Sequence, residues 1–186
     1  MSKPTLILVT GLPATGKSTL AAILAERLKL PQYGKDQFKE ILFDTLGIGD
    51  RPWSRRLGVA SIVLLFRVIE AELAAGKSCI VESNFNPELD SARLLTLCGK
   101  YDIHVVQVVC NTNSHVLLER FRARPRHPGH LDHVVAAELE AQLLSGHTAA
   151  LALDSMVIEV DTTDFAQVAY AEIERQIRVV LERGKV

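Results

Sequence analysis

Gly11-Leu12-Pro13-Ala14-Thr15-Gly16-Lys17-Ser18-Thr19 is the part of this chain whose residue types and spacing speak most directly of chemistry. It matches G-x-x-x-x-G-K-[ST] at every fixed position. Glycines let a backbone turn so tightly that several N–H groups face one anion. A helix opening near Lys17 adds the positive end of its dipole. The Lys17 ammonium supplies a point charge for outer phosphates, and the Ser18 hydroxyl is a ligand suited to Mg²⁺. The reading is a loop that holds a nucleoside triphosphate.

Other segments bear on what such a nucleotide would do. Asp36, in Lys35-Asp36-Gln37-Phe38, lies near a strand end and opens a helix. It suits a helix cap, and equally a general base for an acceptor hydroxyl; the two roles are compatible. Glu82 heads Glu82-Ser83-Asn84-Phe85-Asn86-Pro87 and would hold a Mg²⁺-bound water if its strand neighbours the phosphate loop. Asn84 reads as a helix cap or as an acceptor contact. Arg120, Arg122, Arg124 and Arg126 crowd a stretch that ends Pro125-Arg126-His127-Pro128-Gly129-His130. Arginine suits bidentate phosphate contacts, and prolines with glycine suit a closing lid that excludes water. His127, His130 and His133 lack accompanying cysteines or a carboxylate cluster, so hydrogen bonds within the lid or to substrate are expected over a metal site. Asp161-Thr162-Thr163-Asp164 is a capping sequence for the last helix, at a position from which it could also touch a base. Trp53, among Arg51, Arg55 and Arg56, suits packing or an acceptor contact.

The elements that must position these groups are legible as apolar runs. Thr5–Thr10, the stretch after Leu30, Cys79–Val81, Ile103–Cys110 and Met156–Val160 read as strands, mostly buried on both faces. Helical stripes lie between them, at Leu20, Ile23, Leu24 and Leu28, then at Ile62, Leu65, Phe66, Ile69 and Leu73. A last stripe runs through Phe165, Val168, Ala169, Ile173, Ile177 and Val180. Alternation of this kind predicts a parallel sheet with ligands outside the carboxyl ends of its strands. The chain has 186 residues, 48% of them hydrophobic, enough for one domain over 1–186 and too apolar for disorder. Its formal charge of −1 offers no general basic excess for wrapping nucleic acid. No apolar run is long enough to span a bilayer, and Met1-Ser2-Lys3-Pro4 carries no export pattern. Cys79, Cys98 and Cys110 sit in apolar surroundings and read as reduced thiols, so the expected location is cytoplasmic.

Taken in order, the phosphate loop, Lys35-Asp36, Glu82-Ser83-Asn84-Phe85, Arg-His-Pro-Gly-His and Asp-Thr-Thr resemble the small P-loop kinases. The nearest resemblance is to the branch around polynucleotide 5′-kinase, chloramphenicol phosphotransferase and the zeta-toxin kinases. Gluconate kinase and the nucleoside-monophosphate kinases are more distant. The resemblance implies a three-layer α/β P-loop NTPase fold with a five-stranded parallel sheet and an Arg-rich lid over 120–134. It implies that Gly11 to Thr19 cradle ATP, with Lys17 on the β- and γ-phosphates and Ser18, with Glu82, at Mg²⁺. Asp36 resembles the acceptor-activating aspartate. Arg120 resembles an adenine-stacking arginine, Arg124 and Arg126 the arginines that neutralise the transferring phosphate. Asp161 to Thr163 resemble the adenine-side loop. Residues 50–76 are the expected acceptor-side helical segment. The expected reaction is transfer of the ATP γ-phosphoryl group to a hydroxyl of a small molecule, by a monomer or homodimer. A Lys-Asp pair stands where polynucleotide kinases often have Arg-Asp, which disfavours a nucleic-acid acceptor. A polynucleotide 5′-hydroxyl kinase and an ATP-binding switch are the rival readings; the DxxG and N-K-x-D patterns of GTPase switches are absent.

Overall fold

Continuous apolar strands can be stable only where both faces are covered, and the computed structural model has that arrangement. It describes residues 3–132, 140, 143–144 and 148–184. Five strands, β1 (Thr5–Gly11), β2 (Gln32–Gly34), β3 (Cys79–Glu82), β4 (His104–Asn111) and β5 (Met156–Asp161), form one sheet in the order β2-β3-β1-β4-β5. All four pairings are parallel. The helices are α1 (Lys17–Leu28), α2 (Lys35–Leu46), α3 (Arg51–Ala74), α4 (Pro87–Lys100), α5 (Ser114–Ala123) and, among the described residues, a last one, α6 (Tyr170–Arg183).

The strand period of two divides the core. Ile7 and Val9 of β1, with Val106, Val108 and Cys110 of β4, meet Leu20, Leu24, Ile173 and Ile177 of α1 and α6. Leu6 and Leu8 face the other way, onto Leu65, Ile69 and Leu73 of α3 and Leu94 and Leu97 of α4. Strand β1 is buried along its whole length, so the loop that follows it rests on an immobile base.

Several helix starts differ from expectation. Asp36 does not cap α2. Gly34 stands at that position, and its N–H donates to Gln37 Oε1 at 3.0 Å. Asn86, not Asn84, caps α4 through the N–H groups of Glu88 and Leu89. Asp164 caps a short turn, Phe165–Gln167, rather than the last helix, which begins only at Tyr170; Thr163 caps neither. Ala169 is accordingly exposed instead of joining the buried stripe. Trp53 packs on the turn before α3, its indole N–H donating to Gly47 O at 3.0 Å. Cys79 and Cys110 are free and buried, and burial pushes both thiols up to about 12; Cys98 is free and half-buried. Among the described residues, no helix is long and apolar enough to cross a membrane.

Candidate functional site

Strand order sets the site. With β1 between β3 and β4, the loop Leu12–Gly16 emerges at the centre of the carboxyl edge, flanked by Glu82 on one side and Thr112 on the other. Gly34 is in register with Glu82, which brings Asp36, two residues on, to the same edge.

The loop is tightly closed. Both the N–H and the hydroxyl of Thr15 donate to Leu12 O, at 3.3 and 2.9 Å. Gly16 has φ +83°, and a Cβ there would stand 2.1 Å from Phe165 Cζ, so both conformation and space demand glycine. Gly16 heads α1 with no side-chain cap, leaving the first-turn N–H groups for an anion. Lys17 is only 7% exposed, and its Nζ lies 3.5 Å from Glu82 Oε1. Ser18 and Thr19 are exposed beside it. Uncapped N–H groups, an ammonium, a hydroxyl and a carboxylate form a donor set that fits a polyphosphate with a hard cation such as Mg²⁺. Among the described residues, no group of three His, Cys or carboxylate side chains could hold a metal by itself. His133 lies outside the described residues, as does the end of the 120–134 segment.

A cleft of about 670 Å³ opens over this loop. Gly16, Lys17, Ser18, Asp36, Glu82, Arg120, Arg124, Arg126 and Phe165 all line it. Burial works to raise the Asp36 carboxyl, but Arg126, Lys17, His130 and Lys35 outweigh it and hold the group below the usual carboxylate range. Arg126 forms an ion pair with Asp36. Arg124 donates to Asp132 at 2.8 Å and lies over the Phe121 ring at 4.7 Å; burial depresses its guanidinium, Arg126 adds to this, and Asp132 opposes. Arg120 donates to Thr162 O and Thr163 O, both at 2.8 Å, and sits 5.1 Å from the centre of the Phe165 ring.

Not every expected residue reaches this cleft. Gly11, Leu12 and Pro13 line a separate hollow with Asn84, Asn86 and Thr148, on another side of the loop. Thr15 is buried. Asp161 and Thr163 border a third, with Asn111 and Asn113, and are tied up locally: Asp161 accepts from Thr163 N, and the Thr163 hydroxyl from Asn113 N. In their place Thr162 reaches the loop, its hydroxyl 2.6 Å from Thr15 O and 2.7 Å from the Thr112 hydroxyl. Sequence reasoning missed Phe165 and Thr112, and named Thr162 only as a member of its loop. Phe165 read as an ordinary helix-stripe residue; its position directly after a capping Asp was the available signal.

A family model described as an AAA domain matches residues 6–146. No curated protein sequence is significantly similar to the chain. A solved structure from Chloroflexus aurantiacus J-10-fl, named only provisionally as a kinase, is 41% identical, covers 96% of this chain and 98% of its own, and superposes with a TM-score of 0.91. The Mycobacterium tuberculosis APS kinase, solved with AMPPNP and APS, is 18% identical with a TM-score of 0.59, over 97% and 98% of the two chains. A gluconokinase from Sinorhizobium meliloti 1021 is 20% identical with a TM-score of 0.52, over 98% and 94%. These last two share the fold. With its phosphate loop, its all-parallel five-stranded sheet and a family match over most of its length, the chain belongs to the AAA domain family, in a kinase-like P-loop form.

Proposed function

We propose that this protein is an ATP-dependent kinase that transfers the γ-phosphoryl group to a hydroxyl of a small molecule. The observation that carries the reading is that the Asp36 carboxylate, which comes from α2 and not from the phosphate loop, shares one cleft with Lys17, Arg124 and Arg126. A cleft that only bound nucleotide would have no need of a base beside the phosphate cations. Names such as gluconokinase and APS kinase among the fold's neighbours agree with a small acceptor.

In this scheme the first-turn N–H groups of α1 and Lys17 hold the β- and γ-phosphates. Ser18 and Glu82 are the residues that would hold Mg²⁺, directly or through water. When bound, Mg²⁺ neutralises charge on the phosphates and orients them. Asp36 takes the acceptor hydroxyl proton as that oxygen bonds to the γ-phosphorus. The bond from phosphorus to the bridging oxygen breaks, and ADP leaves with the electron pair. Arg124 and Arg126 neutralise the equatorial charge of the transferring group. The segment from Arg120 onward serves as a lid that keeps water from replacing the acceptor. Arg120 and Phe165 offer a cationic plane and an aromatic ring for the adenine. Residues 50–76 form the acceptor side. Thr162 braces the phosphate loop through its bond to Thr15 O, while Asp161 and Thr163 order the turn beside it.

The test is transfer of labelled γ-phosphate from Mg-ATP into a small-metabolite extract and, separately, onto a 5′-hydroxyl oligonucleotide. A labelled small product that disappears in Lys17→Ala is expected. In Asp36→Asn the rate should fall by about 10²–10⁴-fold while ATP binding stays within a few-fold. Label on the oligonucleotide alone would make the acceptor a polynucleotide. Free phosphate alone, insensitive to Asp36→Asn, would make the protein an ATPase switch.

A further inference from the structure

His130 closes the short turn Pro128–His130 and is only 6% exposed, yet both its ring nitrogens meet ionised partners. Its Nε2 lies 2.9 Å from Glu40 Oε1, and its Nδ1 lies 3.1 Å from Arg126 Nη2. A guanidinium has only donors and a carboxylate only acceptors. The arrangement satisfying both is a neutral ring whose Nε2–H donates to Glu40 and whose Nδ1 accepts from Arg126. The same Arg126 nitrogen pairs with Asp36. The ring is itself held. Phe43 meets it edge-on at 5.5 Å, the Ser54 hydroxyl donates to Gly129 O at 2.9 Å, and Gly129 lies so close to Phe43 that a Cβ would stand 2.6 Å from its ring.

We propose that His130 is a positioning residue for γ-phosphate recognition: its neutral ring, anchored by Glu40, fixes the Arg126 guanidinium beside Asp36, and protonation of the ring releases it. The inference rests on the kinase reading, in which Arg126 meets the transferring phosphate. Charged and titratable groups face the ring from each packed element. Asp36, Lys39 and Glu40 come from α2, Arg126 from the ring's own segment, and His127, paired with Asp44, lies 6.5 Å away. Asp132 stands 3.8 Å from Arg126 Nη1. From α3 the nearby polar group is the Ser54 hydroxyl. Burial, then Arg126, oppose charge on the ring, with Lys39 adding to them; Asp36 and Glu40 favour it, and the balance holds His130 below the usual histidine range. The ring is therefore neutral near pH 7. Acid turns Nδ1 into a donor that faces a donor.

Affinities for Mg-AMPPNP and Mg-ADP, measured by titration between about pH 5.5 and about pH 8.5, isolate the grip on the γ-phosphate. Arg126→Ala supplies the baseline for titration of the phosphates themselves. The wild-type preference for Mg-AMPPNP is expected to fall toward the acid end of that range. His130→Asn keeps an acceptor near Nδ1 but gains no proton, and its preference should stay flat. His130→Ala should lose about tenfold of the preference at the alkaline end with Mg-ADP affinity unchanged. Glu40→Gln removes a charge that favours the protonated ring, so its transition should move to lower pH. An Asn variant that follows the wild-type curve, an Ala variant that weakens both nucleotides equally, or an unmoved transition in Glu40→Gln would overturn the proposal. A Lys17→Ala variant that still bound both nucleotides like wild type would instead overturn the nucleotide-site reading beneath it.

Discussion

At the scale of single residues, the support beneath the phosphate loop is as informative as the loop. Thr15 O is buried inside the closed turn, and its close donor is the hydroxyl of Thr162, a residue with no exposed surface. Thr112 continues the chain of hydroxyls from the end of β4. Replacing Thr162 by Val keeps the shape but removes the donor, leaving a buried carbonyl short of a partner at about 1–3 kcal/mol. Thr162→Val should therefore lower the melting temperature and weaken Mg-ADP binding together, whereas Thr162→Ser should restore both. Unchanged nucleotide affinity in the Val variant would mean that the loop holds its shape without this brace. Nothing in the sequence distinguished Thr162 from Asp161 and Thr163, because which of three successive polar residues turns inward depends on how β5 is laid beside β4.

At the scale of elements, the α2–α3 pair and the arginine-rich segment are joined by one chain of contacts. Lys39 Nζ lies 3.1 Å from the Ser54 hydroxyl, which donates to Gly129 O. Burial, reinforced by Lys35, depresses the Lys39 amine to about 8. The sign of the consequence follows from linkage. Between about pH 8 and about pH 10.4 the unfolded chain keeps a proton that the folded one has released, so this group makes stability rise with pH. Tyr33, raised to about 12 by its hydrogen bond to Glu72, and the buried thiols act oppositely once the pH nears their unfolded values. Lys39→Met keeps the stem over Phe43 without the charge. Its denaturant midpoint should exceed wild type at pH 7, and the gap should narrow by pH 9. A gap that widens with pH would refute the depressed amine. This junction was only partly legible in the sequence. Arg-rich composition and Pro/Gly content marked 120–130 as a special segment, but its seat on α2 is a tertiary contact between residues about ninety apart. Likewise the cap reading of Asp36, offered beside that of a general base, arose because an aspartate at a helix start looks the same in one dimension whether it stands at the cap or two residues beyond it; here a glycine and Gln37 do that work.

At the scale of the molecule, the sheet was the most legible feature, because a strand covered on both faces reads as a nearly continuous apolar run, as Leu6 to Val9 of the fully buried β1 do. Strand order was not, and it is strand order that brings Glu82 and Asp36 to the phosphate loop. The edge strand β5 shows the limit from the other side: only Ile158 and Val160 of its six residues are buried. The site therefore depends on packing far beneath it. Ile177 of α6 is fully buried in the same cluster as Ile7 and Val9 of β1, two strand positions whose backbone leads straight into the loop. Ile177→Ala should cost about 2–5 kcal/mol by lost burial and residual cavity, lowering the urea midpoint with the slope unchanged. Under the proposed function Mg-ADP binds the folded state alone, so it should stabilise both proteins by RT ln(1 + [L]/Kd). If the cavity leaves β1 in place, Kd is unaltered and saturating nucleotide raises both unfolding free energies equally. A smaller rise in the variant would show that slack in the layer under β1 is transmitted to the loop, and that the α1–α6 face helps to preorganise the site as well as to hold the fold.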